Sequence, residues 1–215
     1  MTVEQAIKAR RSIRQYDPDA PVAEEDLMKI LEAGRLAPSG INMQSWVFVV
    51  VRDPQIKERL AAEAMALPQN TAMCRQAPVV IVCCAQLDAA RELPERLREL
   101  AAAGVLDQAA TDEVAPRYQA GFEHMAPADV REYAVLNLTI AATQMVLQAT
   151  ALGYGTCWLK GFAENRVRRI LNLPDRLHVS SIIPVGRPAE DPPPRKRKSL
   201  DEIVVWDTFP ADTDG

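Results

Sequence analysis

The sequence predicts an α+β or mixed α/β sandwich, a single domain with helices covering a central sheet. Three observations carry that reading. Residues 46–51 (WVFVVV) and 78–85 (PVVIVCCA) are unbroken apolar runs of strand length. Stretches with apolar residues every three or four positions separate such runs, and Pro or Gly closes them. Finally, residues 133–159 contain no Asp, Glu, Lys, Arg or His. With 215 residues, 48% of them hydrophobic, one domain can bury a substantial core.

In chain order, Val3, Ala6 and Ile7 share a face of a short helix over 3–10 that ends in a basic cluster. A second helix covers 24–36, with Leu27, Ile30 and Leu31 inward and Pro38 and Gly40 beyond its end. The strand at 46–51 follows a polar loop. Asp53 and Pro54 supply an N-cap and a first-turn proline for a helix to about residue 65. After the second strand, residues 88–127 are more polar, with a helix at 91–102 stopped by Gly104. That region is expected to be a lid or insertion within the single domain 1–215. Asp129 is the expected cap of a long helix over 130–152 ending at Gly153. A strand near 154–160, a helix at 164–171, a strand at 178–186 and a short extended piece at 200–205 complete the chain.

The long helix is apolar nearly all round, from Val130 through Leu136, Ile140 and Met145 to Leu147. A surface helix would keep one charged face. Polar residues such as Asn137, Gln144 and Gln148 argue against a membrane span. The remaining expectation is a helix buried within the subunit or between two subunits, and a homodimer is the preferred reading.

Net charge is −4 and the pI about 5.3, which argues against general nucleic-acid binding. Cys74, Cys83, Cys84 and Cys157 form no C-x-x-C pair and read as reduced, packed thiols. With only His124 and His178 and no metal-ligand spacing, no metal site is expected. The N-terminus lacks an apolar signal segment, so the expected location is cytoplasmic.

Four stretches carry candidate chemistry. Arg10, Arg11, Ser12 and Arg14 suit a phosphate, since guanidinium makes paired charge-assisted bonds to its oxygens. Basic residues closing a helix would equally complement its dipole. Pro38, Ser39, Gly40, Asn42 and Gln44 offer donors and acceptors suited to the edge of a planar heterocycle, or form an ordinary turn. GYGTCWLKG at 153–161 is not a dinucleotide fingerprint, because Trp158 replaces the last glycine and a helix precedes it. PPPRKRKS at 192–199 places Arg195 and Arg197 on one side of an extended, proline-stiffened segment, with Lys196 and Lys198 opposite. Apolar sequence on both sides is expected to tie that segment down.

Together, RRSIR at 10–14, APSGINMQSW at 37–46, ALGYGTCWLKGF at 151–162 and VGRP…PRKRKSL at 185–200 resemble the FMN-dependent nitroreductase family. The resemblance implies an α+β fold with a mainly antiparallel sheet, and a homodimer with FMN at its interface, built around the long helix. It implies that Arg10, Arg11, Ser12 and Arg14 grip the FMN phosphate from one side, and Arg195 and Arg197 from the other. Pro38, Ser39, Gly40 and Asn42 would come from the partner subunit. Asn70 would meet the polar edge of the flavin, and Trp158, Lys160 and Gly161 would lie near its reactive nitrogen. NADH or NADPH would be the donor and a nitroaromatic, quinone or similar small molecule the acceptor, in ping-pong fashion. No catalytic side chain is then required, because the flavin carries the hydride. Phe122 and His124, with Tyr118 and Met125, are candidates to meet the acceptor. Ser45 departs from the family's usual proline and is expected to loosen its loop, and Lys160 replaces a residue that is often acidic or small. Competing readings are an ene or flavin reductase, a flavin-using enzyme that NAD(P)H does not reduce, and a nucleic-acid binder using RKRK.

Overall fold

The computed structural model describes residues 1–209 and shows an α+β fold. Its elements are α1 (Val3–Ala9), α2 (Glu24–Arg35), β1 (Trp46–Val51), α3 (Pro54–Arg59), α4 (Pro68–Gln76), β2 (Val79–Gln86), α5 (Leu93–Ala102), α6 (Gln108–Glu123), α7 (Pro127–Ala151), β3 (Gly155–Thr156), α8 (Glu164–Leu171) and β4 (Leu177–Gly186). The strands form one antiparallel sheet in the order β1-β2-β4-β3.

Strand alternation sorts β2 between two cores. Val79, Ile81, Cys83 and Ala85 face Leu27 and Ile30 of α2 and Leu138, Ala142 and Met145 of α7. Val80, Val82 and Cys84 face Leu60, Met73, Val167 and Ile170 on the opposite side. Each fully buried Leu or Ile contributes about 1.5–3 kcal/mol of transfer free energy. The four cysteines are free and buried, as expected of packed thiols, and Cys83 and Cys84 divide between the faces.

Several local expectations need correction. The helix beginning at Pro54 leaves α geometry at Leu60 and finishes as a π turn over Leu60–Ala64. Residues 68–76 form α4, started by Pro68, and 108–123 form α6 despite Pro116; neither helix was expected. Asp107 caps α6 by accepting from the Ala110 N–H. Asp129 does not cap α7, because Pro127 opens that helix and leaves Asp129 inside its first turn. The strand after α7 spans only two residues and then continues as a Leu159–Ile182 bridge. Residues 200–202 form a 3-10 turn with a Ser199–Glu202 capping box instead of an extended piece. On α1 only Ala6 is buried, while Val3 and Ile7 stay exposed within the chain.

α7 is long and apolar enough to cross a membrane by composition alone. Here Ala134, Leu138, Ala141, Met145 and Ala149 pack inward, and Leu136 is 58% exposed. The 88–127 region is mostly helical, and Ala89, Leu93, Leu97 and Ala115 form a small core of its own with Met43.

Candidate functional site: a basic cleft joined to a polar turn

The two ends of the chain meet. Beyond β4, Tyr16 bridges to Pro188, the Ala189 N–H donates to the Gln15 carbonyl at 2.9 Å, and the Arg14 N–H donates to the Glu190 carboxylate. This pairing sends the proline-stiffened segment back across residues 10–14. Ile7, Lys8, Arg10, Arg11, Ser12, Arg14, Pro192–Pro194, Arg195 and Arg197 line a cleft of about 450 Å³. Lys196 and Lys198 are not part of that lining, in keeping with alternation along an extended segment.

Arg11 donates to the carbonyls of Lys8 and Arg10 at 2.6 and 2.9 Å, so it also closes the C-terminal end of α1. Arg14 donates to the Ser12 carbonyl at 3.0 Å. Arg197 reaches the carbonyls of Arg195 and Lys196 at 3.3 and 3.2 Å. None of these three guanidiniums bonds a carboxylate, so the cleft stays locally positive in a protein of net charge −4, although Lys8 pairs with Glu4 and the Glu190 carboxylate sits on the Arg14 backbone. Such a cavity fits a compact dianion, and its guanidiniums are suited to phosphate oxygens. Only one end of the PPPRKRKS segment is tied down within the chain: Leu200, Ile203 and Trp206 are 72%, 62% and 83% exposed.

From the cleft, a continuous path leads to a second polar group. Ser12 pairs with Thr156 of β3, and the Ile13 N–H donates to the Thr156 carbonyl at 2.9 Å. Five residues later, at most ~17 Å of extended chain, the Gly161 carbonyl accepts from the buried Asn70 side chain at 3.0 Å. Gly161 permits that approach, since a Cβ there would lie 2.9 Å from the Asn70 nitrogen. Trp158 is partly exposed along the path, and the Lys160 amine folds back to donate to the Ser180 carbonyl. Arg10, Ser12, Arg14, Trp158, Lys160, Gly161 and Asn70 therefore follow one edge of the sheet.

Cys157 lies on the same path. Burial pushes its thiol up, partly offset by Arg14 and Arg10, which makes it a packing residue instead of a nucleophile.

Pro38, Ser39, Gly40 and Asn42 are not part of the basic cleft's lining; Asn42 borders α5 and α6, and Gly40 packs on α7. Their loop is strained: Ile41, Asn42 and Gln44 have φ of 48°, 54° and 51°. Each such residue costs on the order of 1–3 kcal/mol, and a β-branched residue is the least suited to that region. Ile41 and Asn42 border a mainly apolar cavity of about 370 Å³, closed by Leu97, Leu100, Val114 and Tyr118. Of the expected acceptor contacts, Tyr118 reaches this cavity. Phe122 instead packs edge-on against Tyr133, with ring centres 5.2 Å apart. His124 is exposed and bonds back to the Ala120 carbonyl at 2.7 Å, so its ring is satisfied by its own helix. Sequence reasoning did not single out Glu190, Ile41, Leu97 or Leu100, since nothing local in the sequence distinguishes them.

The sequence model of the Nitroreductase family matches residues 7–187. An NADH dehydrogenase of Thermus thermophilus is 34% identical over 197 residues, covering 92% of both chains. YodC of Bacillus subtilis, assigned as an NAD(P)H nitroreductase, is 28% identical over 202 residues, covering 93% of this chain and 96% of its own. Among solved structures, a protein of Exiguobacterium sibiricum crystallised in complex with FMN superposes with a TM-score of 0.87 at 25% identity, covering 96% of this chain and 97% of its own. With its family match spanning both the basic residues at 10–14 and the strand that launches the proline segment, the chain belongs to the nitroreductase family.

Proposed function

We propose that this chain is an FMN-dependent oxidoreductase that passes hydride from NADH or NADPH to a nitroaromatic, quinone or similar acceptor in ping-pong fashion. The observation that carries this reading is the basic cleft, in which Arg10, Ser12, Arg14, Arg195 and Arg197 meet from opposite ends of the chain. Its size suits one phosphate monoester better than a nucleic-acid backbone, which calls for a broad basic surface. When bound, FMN supplies the hydride chemistry and the protein supplies binding and orientation. Arg14 and Arg197 hold the phosphate, Ser12 adds a hydroxyl, and Asn70 with the backbone at 158–161 defines the polar edge.

The working unit in this reading is a cytoplasmic homodimer. Exposed Val3, Ile7 and Leu136, together with the apolar side chains at 200–206, form the surface a second copy would cover. The partner would also supply Pro38, Ser39, Gly40 and Asn42, which do not line the cleft of their own chain. Residues 88–127 act as the lid, and the apolar cavity beside Ile41 is the chamber it offers to the acceptor.

The test is direct. Purified protein should show flavin absorbance, or acquire it with added FMN, and bleach anaerobically with NADH or NADPH. Protein that stays colourless and cannot be reconstituted overturns the reading. Flavin that remains oxidised with both nucleotides would instead indicate a flavin-using enzyme with another reductant.

A further inference from the structure

We infer that Asn137, a buried side chain in the middle of α7, is a positioning residue that holds the strained loop 39–45 in its working shape. Asn137 is 2% exposed in an otherwise apolar stretch of helix. Its carbonyl oxygen accepts from the Gly40 N–H at 3.1 Å, and its amide nitrogen donates to the Ser45 hydroxyl at 3.4 Å. One side chain therefore ties both ends of the segment that contains the three positive-φ residues Ile41, Asn42 and Gln44.

The other contacts of the loop are consistent with a pin at this point. Ser39 accepts from the Gln44 N–H at 2.9 Å and closes the loop across its base. The Ser45 carbonyl accepts from the Gln86 N–H at 3.1 Å, joining the loop to the end of β2. Gly40 sits so close to Tyr133, one helical turn before Asn137, that a Cβ would fall 1.8 Å from the phenol oxygen. Tyr133 and Asn137 thus present one side of α7 to Gly40, the first by contact and the second by hydrogen bond. A backbone this strained persists only when its surroundings over-determine it. Asn137 is the one acceptor that the Gly40 N–H meets among the described residues, so removing the amide oxygen would leave that donor unpartnered. Ser45, expected from the sequence to loosen the loop, is instead fully buried and one of its two anchors.

The consequence for binding rests on the proposed role of Ser39 and Gly40 at the flavin, whereas the consequence for loop order does not. The test therefore uses two readouts on the full-length protein. Hydrogen exchange of the 39–45 segment in FMN-free protein reads the pin itself. Titration of that protein with FMN, followed by flavin fluorescence and visible circular dichroism, reads its effect on binding. Asn137→Leu should accelerate exchange in 39–45 selectively, leaving β2 and β4 protected, and weaken FMN binding by about tenfold, equivalent to ~1.4 kcal/mol. Asn137→Asp should restore both, because burial keeps the new carboxyl neutral, and a protonated carboxyl can accept from the Gly40 N–H and donate to the Ser45 hydroxyl. Ser45→Ala should produce a smaller effect in the same direction, and should add nothing when combined with Asn137→Leu.

Selective exchange without any change in FMN affinity would uphold the pin and overturn its link to the flavin site. Unchanged exchange in folded Asn137→Leu would overturn the inference outright. So would Asn137→Asp behaving like Asn137→Leu. Should Asn137→Leu fail to fold, Ser45→Ala carries the same decision by the same two readouts. If the wild-type protein bound no FMN, the functional reading would fall while the exchange result still decided the role of Asn137.

Discussion

Replacing Arg14 by Ala tests the cleft most directly. Its guanidinium is half-buried, held toward the cleft by the Ser12 carbonyl, and its backbone is fixed by Glu190. The side chain therefore loses little freedom on meeting a phosphate, and a charge-assisted bond from such a group contributes about 1.5–3 kcal/mol. That range corresponds to an FMN dissociation constant raised about 10- to 150-fold. Arg197 is exposed and bonded only to neighbouring carbonyls. Solvent screening should place Arg197→Ala at or below the lower end of the same range. The assay is fluorescence titration of flavin-free protein, run in parallel with riboflavin, which lacks the phosphate. Arg14→Ala should weaken FMN binding while leaving riboflavin affinity within about twofold. Equal losses for both ligands, or no loss for FMN, would refute the assignment of this cleft to a phosphate.

Three further outcomes are expected. Leu136→Glu, which puts a charge on the exposed apolar face of α7, should yield monomers by sedimentation velocity and lower FMN retention with them; a dimer of unchanged affinity would remove α7 from the interface. Leu100→Trp should fill the cavity beside Ile41 and raise KM for bulky acceptors, while flavin reduction by NAD(P)H in stopped flow stays unchanged; a slowed reductive step would place that cavity on the donor side. Burial holds the thiols of Cys74, Cys83 and Cys84 at about 12 instead of the ordinary 9.0. Their folded-state values are raised, so their contribution is intact below pH 9 and is lost as pH rises toward 12. Stability should therefore fall progressively as pH rises through that window, seen as a fall in Tm that Cys83→Ala moderates.

Much of the architecture was legible because local rules and tertiary demand agree in these segments. The apolar runs at 46–51 and 78–85 are both strands, though only the second is buried almost throughout, since β1 lies at the sheet edge and is half-buried over 46–50. Asp53-Pro54 begins a helix as its cap chemistry requires. The helices at 68–76 and 108–123 were harder to see. Leu67, a poor cap, precedes the first, and Pro116 interrupts the pattern of the second. Their helical state is stabilised by packing against the rest of the domain, which no short window of sequence reports.

The chemistry divides along the same line. Residue types alone determined that an acidic protein carries two concentrated basic segments, and that alternation would set Arg195 and Arg197 apart from Lys196 and Lys198. Arginine and proline impose charge and extension wherever they sit. Only the tertiary structure decided how the two segments form one cleft, because the pairing of 15–17 with 187–189 joins residues about 170 positions apart through backbone bonds that most side chains would permit. It also decided that His124 turns onto its own helix, that the 200–206 tail lies exposed, and that Asn137 meets both ends of the strained loop that Ser39 closes locally. A buried amide declares its role through the groups it meets, and those groups come from the fold.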